Sequence, residues 1–348
     1  MRRLLIVFLL CGLAPGLWLR TQLPRPNRDQ QVAMTKLPLP AGCCQIGPFR
    51  LDAVWQLTGR NKYFGSYSGL VRIAPSRLVA FSDRGFFLDF PDPRPGTSAV
   101  RIGSTIADQH KLKDNRDVEA ASYDPVSRQL WLALEGRNAI ARHGADLRRQ
   151  AMIQPLAMKQ WPLNKGPEAM VRLRDGRFIV LGEAFSGWNE DTRHPALLFA
   201  GDPTAGKAPA EFTFAGAQGY RPTDMAQLPD GRVLVLMRRL LWPFPVRTAG
   251  RIVLADPDEI AAGRVWHSRQ IASLDAPLLI DNFEGLAIDQ AADGTITAWL
   301  MSDDNGAASQ RTLLWRMTLD PALLPPVPDK QKARDRLARL ELDGVERP

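Results

Sequence analysis

The sequence predicts an all-β fold built from one repeated unit, and three observations predict it. From residue 49 onward the apolar residues come in short β-type runs separated by Gly, Pro and Asp, without the long 3.6-residue periodicity of a helical domain. The runs recur at roughly 50 to 60 residues, each opening on a small or acidic residue followed by an apolar strand: SGLVRI from Ser68, EAASYD from Glu119, EAMVRL from Glu168, DMAQLP from Asp224 and EGLAID from Glu284. Between each opening and the strand that follows lie tight-turn signals such as RDGR at 174–177, LPDGR at 228–232 and AADGT at 291–295.

Each opening leads to a second strand: RLVAFSDRG from Arg77, QLWLALEGR from Gln129, RFIVLGEAF from Arg177, RVLVLMRRL from Arg232 and TAWLMSDDN from Thr297. Third strands are expected at 139–143, 196–200, 251–255 and 313–319, and outer strands at 99–106, 211–215 and 265–274. Four-stranded units repeated at this length are the pattern of a β-propeller, with five blades detected and room for a sixth, degenerate one. The last unit lacks an outer strand, whereas residues 49–57, FRLDAVWQL, are a strand without a unit. The N-terminal strand is therefore expected to close the ring by completing the last blade. The propeller spans residues 48–320.

Residues 1–22 begin with two arginines and an apolar stretch from Leu4 to about Leu13, which reads as an export signal or an uncleaved N-terminal anchor. Such a segment sends the protein to the periplasm, free or tethered to the membrane and facing that compartment. Residues 23–47, with Pro24, Pro26, Pro38 and Pro40, read as a linker. Cys43 and Cys44 are adjacent and read as incidental, with no disulfide framework implied. The tail from residue 321 is basic, and its stretch from Asp329 reads as a short amphipathic helix.

In a propeller the start of each inner strand and the end of the second strand share one rim. That puts Glu119, Glu168, Asp224 and Glu284 at one mouth of the channel, with Asp83, Glu135, Glu183, Asp303 and Asp304 slightly further out. Carboxylates so gathered repel by about 1 to 4 kcal/mol per close pair. Either a hard cation or arginine offsets this, and calcium suits a set of Asp, Glu and Asn oxygens. The candidate metal ligands are Glu119, Glu168, Glu284, Asp303, Asp304 and Asn305, with Glu284 and Asp303 the candidate catalytic pair. Arg84, Arg238 and Arg239 are candidate substrate contacts, and Arg116, Arg137 and Arg221 lie in or near the same loops. The plainer alternative is that each acid accepts backbone N–H groups of the next blade and locks the ring.

Forty-five Lys and Arg against 37 Asp and Glu leave a net charge of +8, which favours an anionic partner. No basic block with interleaved aromatics appears, which argues against nucleic acid. GSYSG at 65–69 has Tyr67 at its centre and is not a nucleophile elbow. His110, His143, His194 and His267 lack metal spacing, and Trp131, Trp299 and Trp315 sit in apolar runs and read as core. The stretch 238–251 mixes Leu240, Leu241, Trp242 and Phe244 with four arginines, as a lid, a membrane-facing hairpin or a cover over a neighbouring blade would.

SGL at Ser68, FSDRG at 81–85, RDVEAASYD from Arg116, GPEAM at 166–170, DNFEGLAI at 281–288 and the later SDDN together resemble the bacterial phytase-like propellers, the family of "esterase-like activity of phytase". The resemblance covers about residues 49–319. It implies a calcium-associated propeller that hydrolyses phosphate esters, with Glu119, Glu168, Glu284, Asp303, Asp304 and Asn305 as rim or metal-site residues and Arg84 facing the anion. One departure is Met237, which stands where such proteins often carry an acid before the arginine of the fourth blade. The function classes that follow are a metal-dependent hydrolase of phosphorylated small molecules, a lactonase-type hydrolase, and a non-catalytic propeller that binds a ligand or an envelope partner.

Overall fold

The computed structural model describes residues 27–40, 43–93, 100–105, 117–187, 190–241, 247–307 and 309–327. Among the described residues five sheets, each antiparallel within its blade, follow one another around a ring, with almost no helix. Blade one comprises Tyr67–Ala74, Arg77–Ser82, Phe86–Pro91 and Arg101–Ser104, from the channel outward. Blade two comprises Val118–Asp124, Gln129–Leu134, Ala139–His143 and Arg149–Ile153. Blade three comprises Pro167–Arg172, Phe178–Gly182, Arg193–Phe199 and Ala210–Ala215. Blade four comprises Arg221–Gln227, Val233–Leu241, Arg247–Ala255 and Arg269–Leu274.

Blade five carries Asn282–Gln290, Ile296–Asp303 and Thr312–Leu319, and its fourth strand is Phe49–Gly59, paired antiparallel from Thr312 opposite Leu57 to Leu319 opposite Phe49. The segment expected to be a linker adds two more strands to this sheet. Val32–Leu37 pairs along Val54 to Gly59, and Gln45–Ile46 turns back on Arg50 and Phe49. Alternation explains the docking: Val32, Met34 and Leu37 turn partly inward, while Ala33, Thr35 and Lys36 stay exposed.

A second departure lies in the expected outer strand 265–274, which splits. Val265–His267 pairs in parallel with Ala210–Ala215 of blade three, and Arg269–Leu274 pairs with blade four. The connection thus laces two blades together. Trp266 is its anchor, fully buried against Phe212 and Phe214 with its indole N–H donated to the Asp256 carbonyl. Cys43 and Cys44, expected to be incidental, are joined by a disulfide. The tip of the 238–251 stretch and the C-terminal tail from residue 328 lie outside the described residues.

The core is not one mass but five apolar clusters, one between each pair of neighbouring blades. The cluster between blades five and one joins Trp55, Leu57, Trp299 and Leu314 to Tyr67, Leu70, Leu78 and Phe90. Trp131, Trp299 and Trp315 are buried as expected. Each large side chain taken from water contributes about 1.5 to 3 kcal/mol, so every interblade seam is a substantial share of the stability.

Candidate functional site

The same irregularity begins all five inner strands. Between Tyr67 and Gly69, Val118 and Ala120, Pro167 and Ala169, Pro222 and Asp224, and Phe283 and Gly285, the register slips by one residue against the second strand. A β-bulge leaves one residue unpaired and re-aims its side chain. The bulged residues are Ser68, Glu119, Glu168, Thr223 and Glu284. The glutamates of blades two, three and five are thereby turned toward one another at the mouth, where Glu119 feels both Glu168 and Glu284.

One residue further along, the positions are Gly69, Ala120, Ala169, Asp224 and Gly285. Four are small because the blades crowd together at this level. A Cβ on Gly285 would lie 2.8 Å from the Leu70 Cβ, and one on Gly69 would lie 3.2 Å from the Ala121 nitrogen. Asp224 fills the remaining space. It is fully buried and accepts N–H groups from Met225 at 2.8 Å, from Leu286 at 2.7 Å and from Leu70, which spans blades four, five and one. Burial holds its carboxyl well above the usual range, and those three donors offset only part of the effect. Asp224, expected beside the rim glutamates, is instead the floor beneath them, and Thr223 holds the equivalent bulge.

Above this floor stand two overlapping sets of carboxylates. Asp117, Glu119 and Glu135 bring oxygens within 4.8 Å of one another, and so do Glu135, Glu168 and Glu183. The short turn Glu135–Arg137 carries Glu135 inward, where it accepts the Gly166 N–H. Burial, then repulsion from Asp117 and Glu183, pushes the Glu135 carboxyl up to about 7. Burial likewise raises Glu168, helped by Glu183 and Glu135, and Asp303, helped by Glu284 and Asp83. Asp83 rises to about 6, chiefly from burial, against the pull of Arg84.

One guanidinium runs through the set. Arg238 lies 3.1 Å from Glu284 and 3.7 Å from Glu183. Burial disfavours its charge, but Glu284, Glu168, Glu183 and Glu119 outweigh that and raise its pKa. Arg221 adds a second contact to Glu183 at 3.2 Å and covers the Phe185 ring. Asn282 donates to Glu284 at 2.7 Å, which fixes its amide orientation and leaves its buried Oδ1 without a partner.

The other expected site residues divide. Asp303 is buried opposite Asn282 in the strand pairing and accepts the Asn305 N–H at 2.7 Å. Asp304 is committed to structure. It takes N–H groups from Ser66 and Gly306 and the Thr312 hydroxyl, tying blade five to the loop that enters blade one. Asn305 is exposed at a left-handed turn position, with its amide on Gln310. Arg84 donates to the carbonyls of Phe64 and Gly65 and lies 4.0 Å from Asp83. Arg239 points away from its neighbour Arg238, because strand neighbours face opposite sides, and stacks with Arg251 on the Tyr220 ring. His194 is buried against three backbone carbonyls, as a satisfied polar residue, and Arg116 lies outside the described residues.

Sequence reasoning overlooked Asn282, Asp117 and the bulges at Ser68 and Thr223. The signal for the bulges was present: EAA, EAM, EGL, SGL and TDM align when the small residue is matched at the second position, with Asp taking that place in blade four.

Fold and site together define a five-bladed propeller with an acidic, floored mouth crossed by one half-buried arginine. The family model described as "Phytase-like: Esterase-like activity of phytase" matches residues 62–306, and the chain belongs to that family. No curated protein matches the chain. Among solved structures it is similar to the glutaminyl cyclase of Myxococcus xanthus, at 9% identity over 78% of this chain and 97% of that one with a TM-score of 0.45. It is also similar to XC5397 of Xanthomonas campestris, described as a gluconolactonase, at 16% identity over 82% and 100% of the two chains with a TM-score of 0.43.

Proposed function

We propose that the protein hydrolyses a phosphate ester at the acidic mouth with the help of a divalent cation, calcium being the first candidate. The observation that carries this is the convergence of the bulged Glu119, Glu168 and Glu284 with Glu135, Glu183 and Asp303, against one half-buried guanidinium. The donor set fits a hard cation: it is all oxygen, and it includes the unpartnered Oδ1 of Asn282. Glu119, Glu168, Glu284 and Asp303 would hold the ion, with Asn282 beside them. Asp304 and Asn305 fit less well, since the first is spent on backbone and hydroxyl donors and the second faces solvent.

When bound, the cation would neutralise phosphate charge and acidify a water. The chain's own residues would do the rest. Arg238 and Arg84 flank the mouth and would draw in the anion. Glu284, ion-paired with Arg238, is placed to accept a proton from the attacking water. Asp303, as one of the residues that would hold the cation, would give up its proton on binding, so the leaving-group oxygen would take its proton from solvent water. The apolar stretch behind two arginines in residues 1–22 supports export to the periplasm or anchorage facing it.

A second reading, a ligand-binding propeller without catalysis, is favoured by Arg238 alone, which already offsets part of the acid charge. Assaying phosphomonoesters, phosphodiesters and lactones with calcium and with chelator separates the two. Turnover of a phosphate ester that chelator abolishes and Glu284→Gln removes is expected. No turnover of any ester at saturating calcium, or turnover unaffected by chelator, overturns the proposal.

A further inference from the structure

The crowded level that floors the acidic mouth also roofs a second chamber, at the opposite end of the same channel. Its volume is about 610 Å³, and the inner strands of all five blades line it. Val71, Ala121, Val171, Ala226 and Ala287, one from each blade and all buried, make its walls apolar. From Val171 to Arg174 at the lip the chain advances about 10 Å, the reach of a medium-length acyl chain. Apolar walls with a few polar groups at the rim, in a cavity of this size, are the features of a small-molecule pocket.

The polar groups at the lip narrow the ligand's chemistry. Three arginines line the chamber against one carboxylate, Asp289. Two of the three are already compensated. Arg72 lies 2.9 Å from Asp289 and 3.6 Å from the buried Asp92. Arg172 lies 3.4 Å from Asp124, a buried carboxylate that also accepts the Ser127 hydroxyl at 2.7 Å.

Arg174 differs, for it has no carboxylate partner among the described residues. Asp175, next in the chain, is held by Arg177 at 2.7 Å. The Arg174 guanidinium donates instead to the Pro229 carbonyl at 2.6 Å, and its backbone N–H donates to the Gln227 side-chain oxygen at 2.9 Å. It is thereby held across the lip from blade three to blade four, exposed and with most of its N–H groups free. Ser122 adds a second donor. It is 7% exposed and accepts the Arg172 N–H at 2.9 Å, but its own hydroxyl hydrogen has no acceptor among the described residues.

We infer that this chamber is a second ligand site, which takes a small carboxylate with an apolar tail, the tail inside the walls and the carboxylate at Arg174. One uncompensated guanidinium matches a single negative charge, and its planar fork matches the two oxygens of a carboxylate. A dianionic phosphate would find too little positive charge here. The inference stands apart from the hydrolase reading, because the floor separates the chamber from the acid cluster and no mouth residue takes part.

The test is titration of the methyl-labelled full-length chain with octanoate, octanol and octylamine, followed by nuclear magnetic resonance. Octanoate should shift the methyl signals of Val71, Val171, Met225 and Ile288 saturably and leave those of Ile46 and Ile271, on another cleft, in place. It should bind about tenfold more tightly than octanol, and octylamine should bind no better than octanol. Arg174→Gln, an exposed change, should bring octanoate down to the affinity of octanol. Chelator and Glu284→Gln should leave octanoate binding unaltered. Unmoved chamber methyls, equal affinity for octanoate and octanol, tighter binding of octylamine, or an Arg174→Gln variant that binds octanoate as wild type does would each overturn the assignment.

Discussion

Replacing Arg238 by methionine removes the half-buried cation while keeping a flexible side chain of similar length. At an effective dielectric near 20, its contacts with Glu284 at 3.1 Å and Glu183 at 3.7 Å are each worth about 4 to 5 kcal/mol before desolvation is subtracted. Breaking a buried pair by deleting one partner costs about 3 to 5 kcal/mol in practice. For a domain of this size that lowers Tm by about 6 to 15 °C. The loss should shrink as pH falls, because Glu119, Glu168 and Asp303 then take up protons and repel less. Calcium should restore part of it and raise the variant's Tm more than the wild type's. Thermal melts at pH 5 and pH 8, with calcium and with chelator, read all three effects. A variant within about 2 °C of wild type, with the same pH and calcium responses, would refute the idea that Arg238 offsets the acid ring.

The metal-free wild type should itself be more stable in mild acid. Asp83 rises from its usual 3.8 to about 6 and Glu135 from 4.5 to about 7, so the folded state binds more protons than the unfolded chain. Stability from these groups is full below about pH 4 and lost as pH climbs through 7. Asp83, whose side chain is 35% exposed, is screened by solvent and contributes less than its shift alone implies, and a Tm independent of pH in chelator would contradict the effect. Asp224→Ala should cost about 3 kcal/mol or more by stranding the N–H groups of Leu286, Met225 and Leu70, whereas Asp224→Asn, whose single amide oxygen still accepts part of that set, should cost less; equal denaturant midpoints for the two would contradict the floor. Ring closure is tested by truncation: removing residues 1–26 should leave a soluble propeller, and removing residues 1–59 strips the outer strands from blade five and should aggregate. Matched solubility of the two would refute closure by the N-terminal strand.

The repeat was legible because each blade repeats a pattern that local physics enforces. Apolar inner strands such as EGLAID and Asp-Gly turns such as LPDGR are needed in every blade, so their spacing survives loop variation. Asn27 to Ile46 was harder to read, because its prolines mask a strand whose partner, Phe49–Gly59, is named only by the fold. The split at 265–274 was equally hidden, since a parallel pairing across blades leaves no local mark. In the site, the acids were visible but their roles were not. Asp224 and Glu284 look equivalent in sequence, and a one-residue bulge makes one a floor and the other a mouth residue. Asp304 and Asp303 are neighbours on a strand end, yet only Asp303 is left with room for further chemistry. Asn282 drew no notice because an asparagine before a strand reads as turn chemistry.

The most direct test of the mouth as a cation site is the melting of wild type and Glu284→Gln with calcium, magnesium, manganese or chelator. A ligand that binds only the folded state stabilises it by about 2.7 kcal/mol at one hundred times Kd, which raises Tm by a few degrees here. Calcium should raise the wild-type Tm by that amount, chelator should reverse it, and Glu284→Gln should lose most of the response whatever its own Tm in chelator, because losing the Arg238 contact and shedding a repelling charge act in opposite directions. A wild type indifferent to all three ions and to chelator would contradict the cation site and the hydrolytic mechanism that depends on it.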